Sequence, residues 1–167
     1  MGISDVIALL CGVAMFLFGM SLMGDGLKKT SGDKLEPILY KLSGTPLRAV
    51  LLGTGVTAVI QSSAAAVGIV QALSMTGVMT FSSAFPIMMG IAVGGAVPVL
   101  LSVLGSGANE VRAALMHLIM DICGAALCMA LFYIVNGIHH LAFADSLMNP
   151  VSIALVNTIF RLFTVIV

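Results

Sequence analysis

Five polar side chains crowd into an otherwise apolar region: Thr54, Thr57, Gln61, Ser62 and Ser63, within GTGVTAVIQSSAAAVGIV at residues 53–70. Hydroxyls and an amide donate and accept hydrogen bonds without carrying a fixed charge. If a helix is interrupted at Gln61-Ser62-Ser63, its first free N–H groups carry the positive end of the helix dipole and can hold an anion. The unwound carbonyls, with threonine and serine oxygens, suit a small cation such as sodium. On a helix Thr54, Thr57 and Gln61 stand at i, i+3 and i+7 and share one face. The same groups can equally serve only as glue between helices or bond back to preceding carbonyls; sequence alone leaves both readings open.

Three ionisable residues stand out for the opposite reason. Asp121 lies well inside an apolar run, His117 precedes it by four residues on the same helical face, and Arg161 interrupts the final apolar run. A lone charge at membrane depth is costly, so Asp121 is expected to be paired with Arg161 or His117 as a structural pair. No serine has a His or Lys placed to activate it, so an intramembrane enzyme is the weakest reading and the chain is expected not to be one. His139 and His140 read as solvated loop residues. Cys11, Cys123 and Cys128 form no CxxC and no metal spacing, and read as buried small hydrophobes.

The surrounding elements are membrane elements. The chain has 167 residues, of which 60% are hydrophobic and only 8% charged, with mean hydropathy +1.18. Soluble domains carry about 25% charged residues. The net charge is zero and no basic tail points to nucleic acid. Residues 1–24 read as a first span, ended by Gly24-Asp25-Gly26. Residues 25–48 read as a basic amphipathic loop holding Lys28, Lys29, Lys34, Lys41 and Arg48, five of the seven basic residues, and hence cytoplasmic. From Ala49 to Asn109 there is no charge at all. As helix that stretch would run ~90 Å against a core of ~30 Å, so it must fold back. The Gln-Ser-Ser run divides its first part into two arms too short to cross. Residues 49–77 are therefore expected to form a re-entrant helical hairpin, against the alternative of one straight span over about 51–73.

Residues 80–105 follow as a Gly-interrupted helix, in which GIAVGGAVP at 90–98 predicts either a kink or close helix packing through Gly90 and Gly94. Residues 112–136 form a full span. Residues 151–167 begin another, which ends without a polar tail and suggests a chain whose second half is missing. The fold class is expected to be all-α: a membrane protein of transmembrane helices plus a re-entrant helical hairpin.

MFLFGMSLMGDGLKKTSGDKLEPIL at 15–39, followed by GTGVTAVIQSSAAAVGIV, resembles the N-terminal repeat of the type II sodium-dependent phosphate cotransporters. The likeness covers essentially the whole chain, and VSIALVNTIFRLFTV looks like the opening span of a second, inverted repeat. It implies that the chain is one half of an inverted-repeat transporter fold, and a sodium-coupled symporter of inorganic phosphate or a related anion, with substrate at Gln61, Ser62 and Ser63 and sodium at Thr54, Thr57 and Ser62. Sodium would be the coupling ion, with no organic cofactor and no other metal. Lipid would surround the chain, and a second repeat or a second copy in a homodimer would complete the site. The sequence departs from the family pattern at Ala64, where a third serine is usual, and at GIAVGGAVP, which lacks the usual Asn and Thr. Asp121 and Arg161 stand where the pattern usually has Asn, as if one salt bridge replaced an amide pair. A membrane scaffold that keeps the fold without transporting is the alternative.

Overall fold

The computed structural model describes residues 2–31, 44–139 and 143–166. These residues form seven helices: α1 (Ile3–Ser31), α2 (Pro46–Ile60), α3 (Ser63–Ser74), α4 (Phe81–Gly94), α5 (Ala96–Ser102), α6 (Ala108–His139) and α7 (Pro150–Ile166). Two helical stretches, Phe81–Ser102 across α4 and α5 and Ala108–Ile138 in α6, are long and apolar enough to cross a bilayer. Large apolar side chains face outward, as with Phe18 at 70% exposure and Val59 at 85%. An apolar exterior of this kind belongs in lipid or against further protein, not in water.

The first helix departs from the sequence reading. It runs on to Ser31, past the Gly24-Asp25-Gly26 at which the first span was expected to end. A glycine inside a helix costs only about 1 kcal/mol, and no proline follows to remove a hydrogen bond. Most of the basic segment, residues 32–43, lies outside the described residues. Cys11 and Cys123 are exposed and Cys128 half-buried, so none is the buried filler that was expected.

The uncharged region folds as two short arms. Thr45 caps α2, its hydroxyl accepting from the Arg48 N–H at 3.4 Å, and Pro46 occupies the first turn, where its missing N–H costs nothing. Gln61 ends the helix in the left-handed region at φ 57°, its N–H still bonded to the Thr57 carbonyl. Ser62 then starts α3, its hydroxyl accepting from the Ala65 N–H at 3.2 Å. The chain is thus broken over two residues, and the straight helix through 51–73 does not form. The arms lie side by side: Leu52 and Val56 of α2, Val70 and Leu73 of α3, and Ile87 and Ile91 of α4 line one small cavity of about 190 Å³.

A close backbone contact joins α2 to α4. A Cβ on Gly90 would stand 2.0 Å from the Val50 carbonyl oxygen, and one on Gly53 would stand 2.1 Å from that of Ile87. A Cβ on Gly94 would lie 2.7 Å from the Thr54 carbonyl oxygen. These backbones touch, and only glycine permits it. The Thr54 hydroxyl donates across the interface to the Gly90 carbonyl at 3.0 Å. Gly90 and Gly94 therefore serve close packing, while the junction with α5 falls one residue later. Gly95 separates α4 from α5, and Pro98 sits in the first turn of α5, where a helix tolerates it.

A strap at the other end fixes where the arms begin. Phe81 and Ser82 N–H groups donate to the carbonyls of Ser146 and Ala144, and Met148 N–H donates to that of Met79 at 2.8 Å. The linker between α6 and α7 is thereby tied to the start of α4. Phe81, Phe85, Phe132 and Phe143 stack there with centroids 4.9–5.4 Å apart. Gln71 donates its amide to the Pro150 carbonyl at 3.0 Å, which docks α3 on the start of α7.

Overpacking a filled contact typically costs 1–3 kcal/mol, and backbone atoms cannot yield as side chains do. Gly90→Ala is expected to destabilise the protein by about 2 kcal/mol or more. Gly55→Ala, on the same helix as Gly53 but with nothing within 4 Å of its Cβ, is expected to be neutral or mildly stabilising. Thermal unfolding in detergent compares them; equal losses would show that the close approach does not hold the arms.

Candidate functional site

The hairpin tip lies against the junction of α4 and α5. A Cβ built on Gly95 would be 3.6 Å from the Ser63 Cβ. The chain stays right-handed helical through Gly95 (φ −63°, ψ −21°), whose N–H still bonds to the Ile91 and Ala92 carbonyls, so the left-handed break at Gln61-Ser62 meets a helical junction rather than a second gap. Free N–H groups at the start of α3 lie close by, and Pro98 has no N–H to offer the Gly94 carbonyl. Beside them opens a cavity of about 500 Å³ whose walls include Phe16, Ser63, Val67, Gln71, Asn157 and Arg161. It draws on α1, α3 and α7, and it is the polar one among the larger cavities. The larger apolar one, about 420 Å³, sits among the phenylalanines at the strapped end.

The sequence-derived candidates occupy different parts of this arrangement. Gln61 is exposed at the tip, and Ser62 and Ser63 are half-buried. Thr57 is fully buried, its hydroxyl donating to the Gly53 carbonyl at 2.9 Å. Thr54 is half-buried and committed to Gly90. Both threonine oxygens retain lone pairs, but their hydrogens are spent on backbone carbonyls.

Asp121 is 4% exposed, and its Oδ2 has no hydrogen-bond partner. His117 Nε2 approaches that atom to 3.6 Å, too far for a hydrogen bond, and the His117 side chain is half exposed. Arg161 acts on Asp121 electrostatically but forms no ion pair with it within 4.0 Å. Of the two partners expected for Asp121, His117 is the one within ion-pair distance, and among the described residues Arg161 is not. Arg161 stands at the polar cavity instead, four residues from Asn157 on the same face of α7. Neither Asn157 nor the place of Arg161 was found from sequence. Their spacing is visible there, but nothing in the sequence says that α7 packs on α3.

The Na+/Pi-cotransporter family profile matches residues 15–149. The chain belongs to that family. It is a family of transporters rather than enzymes, and it is a membrane family with sodium as coupling ion, in keeping with the two apolar helices. A Bacillus subtilis (strain 168) protein described as "Uncharacterized protein YqeW" is 33% identical over 82 residues, or 49% of this chain and 27% of that protein. The chain thus aligns with about a quarter of this curated relative's length. No solved structure matches significantly.

A buried acid without a hydrogen-bonded partner contributes little to stability. Asp121→Asn is accordingly expected to change unfolding free energy by no more than about 1 kcal/mol. A loss of roughly 3 kcal/mol or more, as when a buried ion pair is broken, would reveal a tight partner.

Proposed function

We propose that this chain is the hairpin-bearing part of a sodium-coupled symporter for inorganic phosphate or a related anion. The anion is held at the Gln61-Ser62-Ser63 tip, and Thr54, Thr57 and Ser62 supply oxygens to sodium. The observation that carries the reading is the hairpin break at Gln61-Ser62 set against the Gly95 junction beside a polar cavity. Discontinuous helices at membrane depth are how transporters of this type expose backbone groups to ions without exposing them to lipid. Depth is consistent: the arms of α2 and α3 are 15 and 12 residues long, about 22 and 18 Å, too short to cross. The arms meet at the tip beside Gly95, and α3 returns to the start of α7, where Gln71 bonds to Pro150; this supports a re-entrant hairpin that enters the membrane zone and turns back. The charge of segment 25–48 supports a cytoplasmic position for it in a multi-pass arrangement, by the positive-inside bias. A second repeat, opened by α7, or a second copy of the chain completes the enclosure of the tip.

The scaffold reading draws on one specific observation, that both threonine hydroxyls are bonded to backbone carbonyls as interhelical or intrahelical glue.

Uptake of phosphate by the intact protein in proteoliposomes separates the two. Sodium-driven accumulation is expected, with at least a tenfold fall for the combined Ser62→Ala and Ser63→Ala change, corresponding to about 1.4 kcal/mol of lost binding. Gln61→Gly is informative because glycine adopts the left-handed conformation freely. It keeps the break, is expected to hold or raise stability, and removes only the amide. Unchanged uptake in Gln61→Gly would exclude that amide as a ligand. Absence of any sodium-dependent uptake by the parent protein would favour the scaffold.

A further inference from the structure

We propose that Arg161 supplies the fixed positive charge of the anion site, and that the cavity it borders selects polyatomic oxyanions over halides. The inference rests on the reading of the hairpin tip as an anion-binding element, and it names the group that gives the site its charge. Four observations lead to it. Arg161 borders the cavity that also contains Ser63, so the guanidinium and the start of α3 address one space. Among the described residues it makes no hydrogen bond and no ion pair within 4.0 Å, although Asp121 is near enough to act on it. Asn157, one turn earlier on α7, and Gln71, whose amide nitrogen is held by the Pro150 carbonyl, add amides to the same wall. Among the described residues no Asp or Glu lines the cavity to neutralise the arginine.

A cation within an apolar segment is retained where it faces a cavity or a ligand. Guanidinium is the side chain whose fork of N–H donors matches two oxygens of a phosphate or sulfate at once. A halide offers one atom and cannot use the fork. The helix start at Ser63 presents hydroxyl and backbone donors to the same volume, so an oxyanion there would be held from two sides by different elements. The arrangement also makes sense of the neighbouring segment GIAVGGAVP, which has no polar side chain at all. Ligand character missing from the α4–α5 junction is supplied by α7.

The test is anion binding by the intact protein, purified in a maltoside detergent free of phospholipid and followed by calorimetry and thermal shift. Inorganic phosphate, sulfate and chloride are titrated separately, with and without sodium. The parent protein is expected to bind phosphate or sulfate at least tenfold more tightly than chloride. Arg161→Gln is expected to weaken oxyanion binding by about 10- to 100-fold, the loss of hydrogen bonds to a charged group, and to abolish the preference over chloride. Arg161→Lys, which keeps the charge and loses the fork, is expected to bind with intermediate strength but reduced selectivity. Arg112→Gln, an exposed arginine at the start of α6, controls for net charge and is expected to change nothing.

Oxyanion binding that survives Arg161→Gln with its selectivity intact would overturn the assignment. So would a parent protein that binds none of the three anions. Binding seen only after phosphatidylglycerol is added would overturn it in favour of a lipid headgroup. Arginine-dependent oxyanion binding without sodium-driven uptake would instead uphold the assignment while removing the symporter reading.

Discussion

The arrangement depends on one contact, the backbone-to-backbone approach of α2 and α4. Gly53, Gly90 and Gly94 leave no space for a Cβ, and the Thr54 hydroxyl bonds across the seam to Gly90. Helices in lipid gain little from the hydrophobic effect when they associate, so close packing and interhelical hydrogen bonds carry the interaction. Because α2 is held in register with α4, its end at Gln61 is delivered to the level of Gly95. The hairpin tip then stands beside the junction of α4 and α5. The strap at residues 143–149 acts at the opposite end, setting the start of α4 against the start of α7. Between these two fixations α3 has one path back, along α7, and that path carries Ser63 to the neighbourhood of Arg161.

The break at Gln61-Ser62 was legible in the sequence because it follows from length. Two apolar arms of a dozen residues cannot each span a bilayer, and serine at the start of an apolar run caps a helix. The glycines were half legible: their spacing announces close packing, but the partner was not identifiable, since Gly53 and Gly90 are 37 positions apart. The end of α1 was misread because a Gly-Asp-Gly resembles a stop, although no residue there prevents a helix from continuing.

The charged residues show a different limit of sequence reasoning. Opposite charges in apolar runs invite pairing, since each alone is costly. That argument fixes the energy scale but not the geometry. Asp121 turns toward His117, four residues away on its own helix, without reaching hydrogen-bond distance. Arg161 borders a cavity shared with α1 and α3, with Asn157 one turn before it. Which helix packs on which was set by glycine contacts and by the strap, and neither is encoded near the charges themselves.

Electrostatics and architecture meet in the space beside the tip. Serines, amides and open backbone groups can bind an anion or a cation, so a site built from them alone has little preference of sign. A guanidinium removes that ambivalence, because it cannot lose its proton and is never an acceptor. Asp121 is not among the residues lining the cavity and forms no ion pair with Arg161 within 4.0 Å, so it does not compete for the guanidinium N–H groups. A carboxylate bonded directly to the guanidinium would occupy the very fork that an oxyanion needs. Separation of the two charges by more than ion-pair distance is therefore what keeps the arginine available to the cavity.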